Sequence, residues 1–129
     1  MAFEIAWLDE KKMAIIYSFG AEWNWSEFVE KDKIADEMMS SVNHKVDIIV
    51  DFTLTTHFPA NALSKFRQLI RDSHPNRGRI ILVGTLMLFK TMAGDFLRLI
   101  PPMSKDILVV NTLDEARRMI ETREHEIAG

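Results

Sequence analysis

The 129-residue sequence contains no cysteine. That excludes disulfides, thiolate metal sites, cysteine nucleophiles and iron–sulfur clusters. It fits a reducing compartment, and a cytoplasmic protein is expected. Glycine and proline are scarce, at five and four residues, and tyrosine occurs once. No internal repeat, low-complexity tract or linker interrupts the chain, so a single domain over residues 1–129 is expected, with about 3–122 as its ordered core. No apolar run approaches the roughly 18 residues that a membrane span requires. The first ten residues hold acidic side chains and no basic region, so a secretory signal is not expected. Basic charge is not in excess either. The net charge is −3, whereas a nucleic-acid binder usually carries a basic stripe. Lys65, Arg67, Arg71, Arg77 and Arg79 come nearest to one, but Asp72 interrupts them and a solvated face explains them; no nucleic-acid partner is expected.

What is present is the balance of a folded globular protein, 47% hydrophobic and 27% charged. A chain of this length buries roughly two thirds of its unfolded surface and needs no staples. Residues 3–8 place Phe3, Ile5 and Trp7 on one face, and residues 13–19 form a second apolar run after the polar turn Asp9-Glu10-Lys11-Lys12. Two such runs predict an antiparallel hairpin. Asn24 with Glu27 forms a capping box ahead of Trp25, Phe28, Ala35, Met38, Met39 and Val42, which recur at helical spacing. Residues 46–52 and 79–83 are apolar on both faces, as central parallel strands are. A helix is expected from Pro59 to about 73, and another after Gly84-Thr85, stopped by Pro101-Pro102. Residues 107–110 read as a fifth strand, and Thr112 with Glu115 as a second capping box opening the last helix. The expectation is an α/β fold in the order ββαβαβαβα, a five-stranded mostly parallel mixed sheet with about four helices, the first hairpin adding the antiparallel strand.

Several landmarks resemble one family. They are the paired-strand start, the strand Val46-Asp47-Ile48-Ile49-Val50-Asp51-Phe52, the strand end Val83-Gly84, and the close Val109-Val110-Asn111-Thr112-Leu113-Asp114-Glu115-Ala116. Over about residues 3–122 the chain is similar to STAS domains, the sulfate-transporter and anti-sigma-factor-antagonist family, and most closely to stand-alone bacterial STAS-like proteins. The resemblance implies a protein-interaction module. In that family the loop entering the second helix reads like Asp-Ser-Ser-Gly-Leu, and one of its hydroxyls accepts phosphate. The matching stretch here is Pro59-Ala60-Asn61-Ala62-Leu63, without a hydroxyl at either position of the pair. Asp51 matches the acidic residue at the strand end, but the phosphoacceptor does not carry over, so a phospho-switch is not expected. Thr53, Thr55 and Thr56 lie earlier in the same loop.

The remaining residues argue against an enzyme. His44, His57, His74 and His125 are widely spaced and form no metal motif; no metal and no cofactor is expected. His57 holds most interest, because loops after parallel strands are where open α/β sheets bind ligands. No nucleophile elbow, S-x-x-K motif or phosphate-binding glycine loop occurs, and the serines have no base partner nearby in sequence. Asp47 and Asp51, two pleat periods apart, share a strand face, and a turn-capping role is the ordinary reading for a strand-end aspartate. A dispersed catalytic site near Asp51, His57 and Asn61 is the weakest alternative. Residues 85–103 carry more apolar side chains than one buried stripe needs, among them Leu86, Met87 and Leu97 off the main face. With Trp23, Trp25 and Phe58 they would line a pocket or an exposed patch; a thick core is the ordinary explanation. The candidate partner- or ligand-binding residues are therefore Thr53, Thr56, His57, Phe58, Asn61, Thr85, Leu86, Phe89, Met92 and Phe96. The leading expectation is a non-enzymatic regulatory module that binds a protein partner or itself. The alternative is a binder of a small hydrophobic, lipid-like ligand, with the Met/Phe-rich third helix as its wall.

Overall fold

The computed structural model describes residues 3–55, 65, 74–84 and 107–128. The chain opens with β1 (Phe3–Trp7) and β2 (Ala14–Phe19), paired antiparallel from Phe3↔Phe19 to Trp7↔Ile15. Their connection closes on a Leu8 N–H to Ala14 C=O bond of 2.8 Å. Asp9 accepts the Lys11 amide at 2.9 Å, and Lys12 takes a left-handed φ of 58° with its ammonium 5.8 Å from the Trp7 ring centre. Three further strands follow: β3 (Val46–Asp51), β4 (Arg77–Val83) and β5 (Ile107–Val110). Each is parallel to the strand before it, giving one mixed sheet in the order β1-β2-β3-β4-β5. β3 and β4 lie inside the sheet, which is why their sequences are apolar on both faces.

Two helices accompany this sheet among the described residues, α1 (Trp25–Ser40) and α2 (Leu113–Ala128). The expectation of about four helices is corrected to two, and the order of described elements is ββαβββα. Both observed helices start at a capping box, a local signal that supplies acceptors for amides with no partner inside the helix. The expected second and third helices rested on apolar spacing behind a Pro and a Gly-Thr start. Those stretches lie outside the described residues. At α1 the Asn24 side chain accepts the Glu27 amide at 2.9 Å. At α2 Thr112 Oγ1 accepts the Glu115 amide at 3.2 Å, and Glu115 reaches back to the Asn111 amide at 3.4 Å.

Strand alternation sends the core to both sides of the sheet. Ile15, Tyr17, Phe19, Ile48, Val50 and Ile80 face α1, where Phe28, Ala35 and Met39 are buried. Ala14, Ile49, Ile81 and Val83 face α2, against Ala116 and Ile120. The α1 side is rich in rings. Phe3 stacks on Phe19 with centroids 4.2 Å apart and on Phe28 at 5.4 Å, and Phe19 stacks on Phe52 at 4.8 Å. Such pairs add about 0.5–1.5 kcal/mol each beyond the area they bury.

On the α2 side an ionic cluster supplements the apolar contact among the described residues. Asp47 is fully buried. Its Oδ2 accepts Arg79 Nε at 3.1 Å and Nη2 at 2.9 Å, and its Oδ1 accepts the Arg79 amide at 2.7 Å. Arg123 of α2 donates to Oδ1 from the other side. Arg79 Nη2 also lies 3.3 Å from the Met119 carbonyl, a second link to α2. Gly78 makes room for this: a Cβ there would overlap Asp47 Oδ1 and sit 2.9 Å from Arg123 Nη1. β4 begins at Arg77, earlier than the apolar run indicates, and the β3–β4 register shifts between Val46 and Ile48, beside Asp47.

Candidate functional site at the carboxyl edge of the sheet

The carboxyl ends of parallel strands are the usual ligand edge of an open α/β sheet. Here Asp51 ends β3 and turns the chain. Its Oδ1 accepts both the Thr53 amide, at 2.9 Å, and the Thr53 hydroxyl, at 2.6 Å. This is the turn-capping role that a strand-end aspartate ordinarily plays. Thr55 pins the other side: its amide donates to the Phe52 carbonyl at 3.0 Å and its hydroxyl to the Gly20 carbonyl at 3.0 Å. Phe52 between them is buried, with its amide on the Val83 carbonyl at 2.9 Å. The Gly84 amide bonds the Val110 carbonyl at 3.2 Å, so the ends of β3, β4 and β5 are joined.

The turn holds Thr53 exposed and Thr55 buried, at 1%. Between them stands Leu54, 72% exposed, the most exposed large apolar side chain among the described residues. Its neighbours on both sides are fixed by hydrogen bonds, so Leu54 is presented on a rigid support. Of the candidate site residues, Thr53 is at this turn. Thr56, His57, Phe58, Asn61, Thr85, Leu86, Phe89, Met92 and Phe96 lie outside the described residues. Trp23 and Trp25 do not form an exposed patch. Trp23 is buried with its ring centre 4.5 Å from that of Phe19, and Trp25 packs edge-on against it at 4.9 Å, so both belong to the core beneath α1.

Two other polar clusters arise only from the fold. Ser40 and His74, 34 residues apart, meet with Oγ and Nε2 at 2.9 Å. This is the one serine–imidazole contact the structure describes, and it is not a nucleophile with its base. The Asn76 amide donates to Nδ1 of His74 at 3.0 Å. Nδ1 therefore carries the lone pair, Nε2 carries the proton, and Ser40 Oγ accepts. A general base needs the opposite arrangement. The second cluster is Tyr17 and Asp32, where the phenol donates to Oδ1 at 2.6 Å. Burial, and then the Asp32 charge, pushes the Tyr17 hydroxyl far up, so it stays protonated. Burial also raises Asp32; the Tyr17 bond lowers it in part and the charge of Asp36 raises it further.

Neither Leu54 nor these clusters was identified from sequence. Leu54 lacks any motif, and the clusters join residues distant in the chain. Among the described residues no group of three or more His, Asp or Glu side chains is placed to hold a metal ion, and no helix is long and apolar enough to cross a membrane. Comparison of the chain with family models, with curated proteins and with solved structures gives no match.

Proposed function

We propose that this protein is a non-enzymatic, STAS-like interaction module that binds a protein partner through the carboxyl edge of its sheet, in the cytoplasm. The observation that carries the reading is the stapled turn around Leu54. An apolar side chain exposed to 72% costs hydration free energy in the free protein, and here that exposure is enforced by Asp51 and Thr55 on either side. Pre-ordered apolar anchors lower the entropy cost of association. The Thr53 hydroxyl is committed to Asp51, and a phosphate there would stand beside that carboxylate, which supports a module that is not phospho-switched. The net charge of −3 favours a protein over a nucleic acid as partner. The hydrophobic-ligand alternative rests on residues 85–103, all of which lie outside the described residues.

The test is affinity capture from the native host with three baits: the wild-type chain, Leu54→Asp, and Val29→Asp. Val29 is a second exposed apolar residue, 48% exposed on α1. The expected result is a partner retained by wild type and Val29→Asp and bound about tenfold or more weakly by Leu54→Asp, with all three proteins melting alike. A partner held equally by Leu54→Asp would refute the assignment of this edge. A co-purifying small molecule and no enriched protein would refute the interaction reading itself.

A further inference from the structure

Among the described residues β1 has a neighbour on one side only. A single bond shows which of its backbone groups face outward. The Leu8 amide donates to the Ala14 carbonyl at the start of β2, and successive residues of an antiparallel strand aim their N–H and C=O to opposite sides. Glu4 and Ala6 therefore bond β2, in the pairs Glu4↔Ser18 and Ala6↔Ile16, and Phe3, Ile5 and Trp7 aim theirs away from it. The next strand agrees with this phase: the Met13 carbonyl, in step with Ile15 and Tyr17, accepts the Asp47 amide of β3.

An outward row of this kind is a template for another strand, and a second copy of β1 matches it. About a two-fold axis at Ile5, each Ile5 opposes the other and each Phe3 opposes a Trp7, all through outward groups and with the apolar side chains on one face. The strand itself, Phe3–Trp7, holds no proline, glycine or lysine to prevent this. Two lysines from outside it stand at its ends. Lys31 of α1 donates its ammonium to the Phe3 carbonyl and lies 5.9 Å from the Phe3 ring centre. Lys12 lies 5.8 Å from the Trp7 ring centre. In the self-paired edge the second copy's Trp7 amide needs the Phe3 carbonyl that Lys31 holds. Opposed residues bring their Cβ atoms to about 5 Å, so Lys31 of each copy would also meet Lys12 of the other. We propose that Lys12 and Lys31 are gatekeepers that keep the outer edge of β1 from pairing with a second copy of this chain, Lys31 by occupying an acceptor and both by like charge. This lateral edge is separate from the strand ends around Leu54, with β2 standing between β1 and β3.

The test compares full-length wild type, Lys31→Met, the pair Lys12→Met with Lys31→Met, and the pair Lys12→Arg with Lys31→Arg. Methionine keeps an apolar stem and drops the charge and the donor; arginine keeps the charge. Sedimentation velocity over a range of concentrations reads association, and amide exchange on the same samples reads where it occurs. The methionine pair is expected to self-associate about tenfold or more tightly than wild type. Protection of the Ile5 and Trp7 amides should rise with its concentration, while that of Glu4 and Ala6, already bonded to β2, changes less. The arginine pair should sediment as wild type does. Lys31→Met alone should show the same change at Ile5 and Trp7 to a smaller extent, and it carries the test if the methionine pair melts early. A methionine pair no more associated than wild type, an arginine pair equally associated, or association without a gain at Ile5 and Trp7 would each overturn the gatekeeper role.

Discussion

Asp32 carries a pH signature that can be worked out from its surroundings. Burial raises it above the ordinary value of 3.8, Asp36 adds to the rise, and the Tyr17 hydroxyl offsets part of it. The native protein thus holds this proton at pH values where the unfolded chain has released it. Asp32's contribution to stability is complete below the unfolded value and is lost as pH climbs through the raised native value. Asp32→Asn keeps an oxygen for Tyr17 and removes the charge. Its stability is expected to lose this slope on the acid side of neutrality, and at pH 7 to equal or exceed that of wild type, as read from urea midpoints at stepped pH. A variant weaker by one constant margin at every pH would contradict the argument. At this scale the sequence revealed what is local. Asp51 caps a turn two residues away and was legible. Asp47, on the same strand face, joins arginines 32 and 76 positions later, a separation over which sequence spacing carries no information. Ser40 and His74 were hidden for the same reason.

Helix starts are where sequence and structure agree best. Asn24 and Thr112 were readable because a capping box is a pattern of neighbours whose chemistry is complete within four residues. Removing the Asn24 acceptor leaves the Glu27 amide unsatisfied at the first turn of α1. Asn24→Ala is expected to cost about 1 kcal/mol, and Asn24→Asp to cost little, since aspartate caps equally well and complements the helix dipole. Denaturant midpoints at constant slope measure both; an Asn24→Ala midpoint equal to that of wild type would show that packing of Phe28 and Trp25 alone starts α1. The interior strands were legible from their two-sided apolar runs, and the hairpin from its polar turn. The helix count was not: capping boxes mark the two helices among the described residues, and the other two expected helices had no such local signal and fall outside those residues. The early start of β4 was also unreadable: Arg77 and Gly78 look like the end of a polar loop until Asp47 is placed beside them.

At the scale of the molecule, the described residues form two cores on opposite faces of the sheet, an aromatic one under α1 and an aliphatic one under α2. Among the described residues, β2, β3 and β4 have a neighbour on each side in the sheet, whereas β1 and β5 have one. Amides of β3 are therefore expected to exchange only through global unfolding, with those on the outer sides of β1 and β5 exchanging earlier. Native-state hydrogen exchange measures this, and β1 protected as strongly as β3 would imply that something pairs with its outer edge. The Asp47 cluster also bears on descent. A buried carboxylate that loses one arginine keeps an expensive charge, whereas the arginines, each partly exposed, lose the partner that positions them. Position 78, meanwhile, admits no side chain while Asp47 and Arg123 hold their places. Positions 47, 78, 79 and 123 should thus be inherited as a set and replaced as a set, so that in divergent descendants this four-position signature outlasts the overall sequence similarity by which kinship is ordinarily traced.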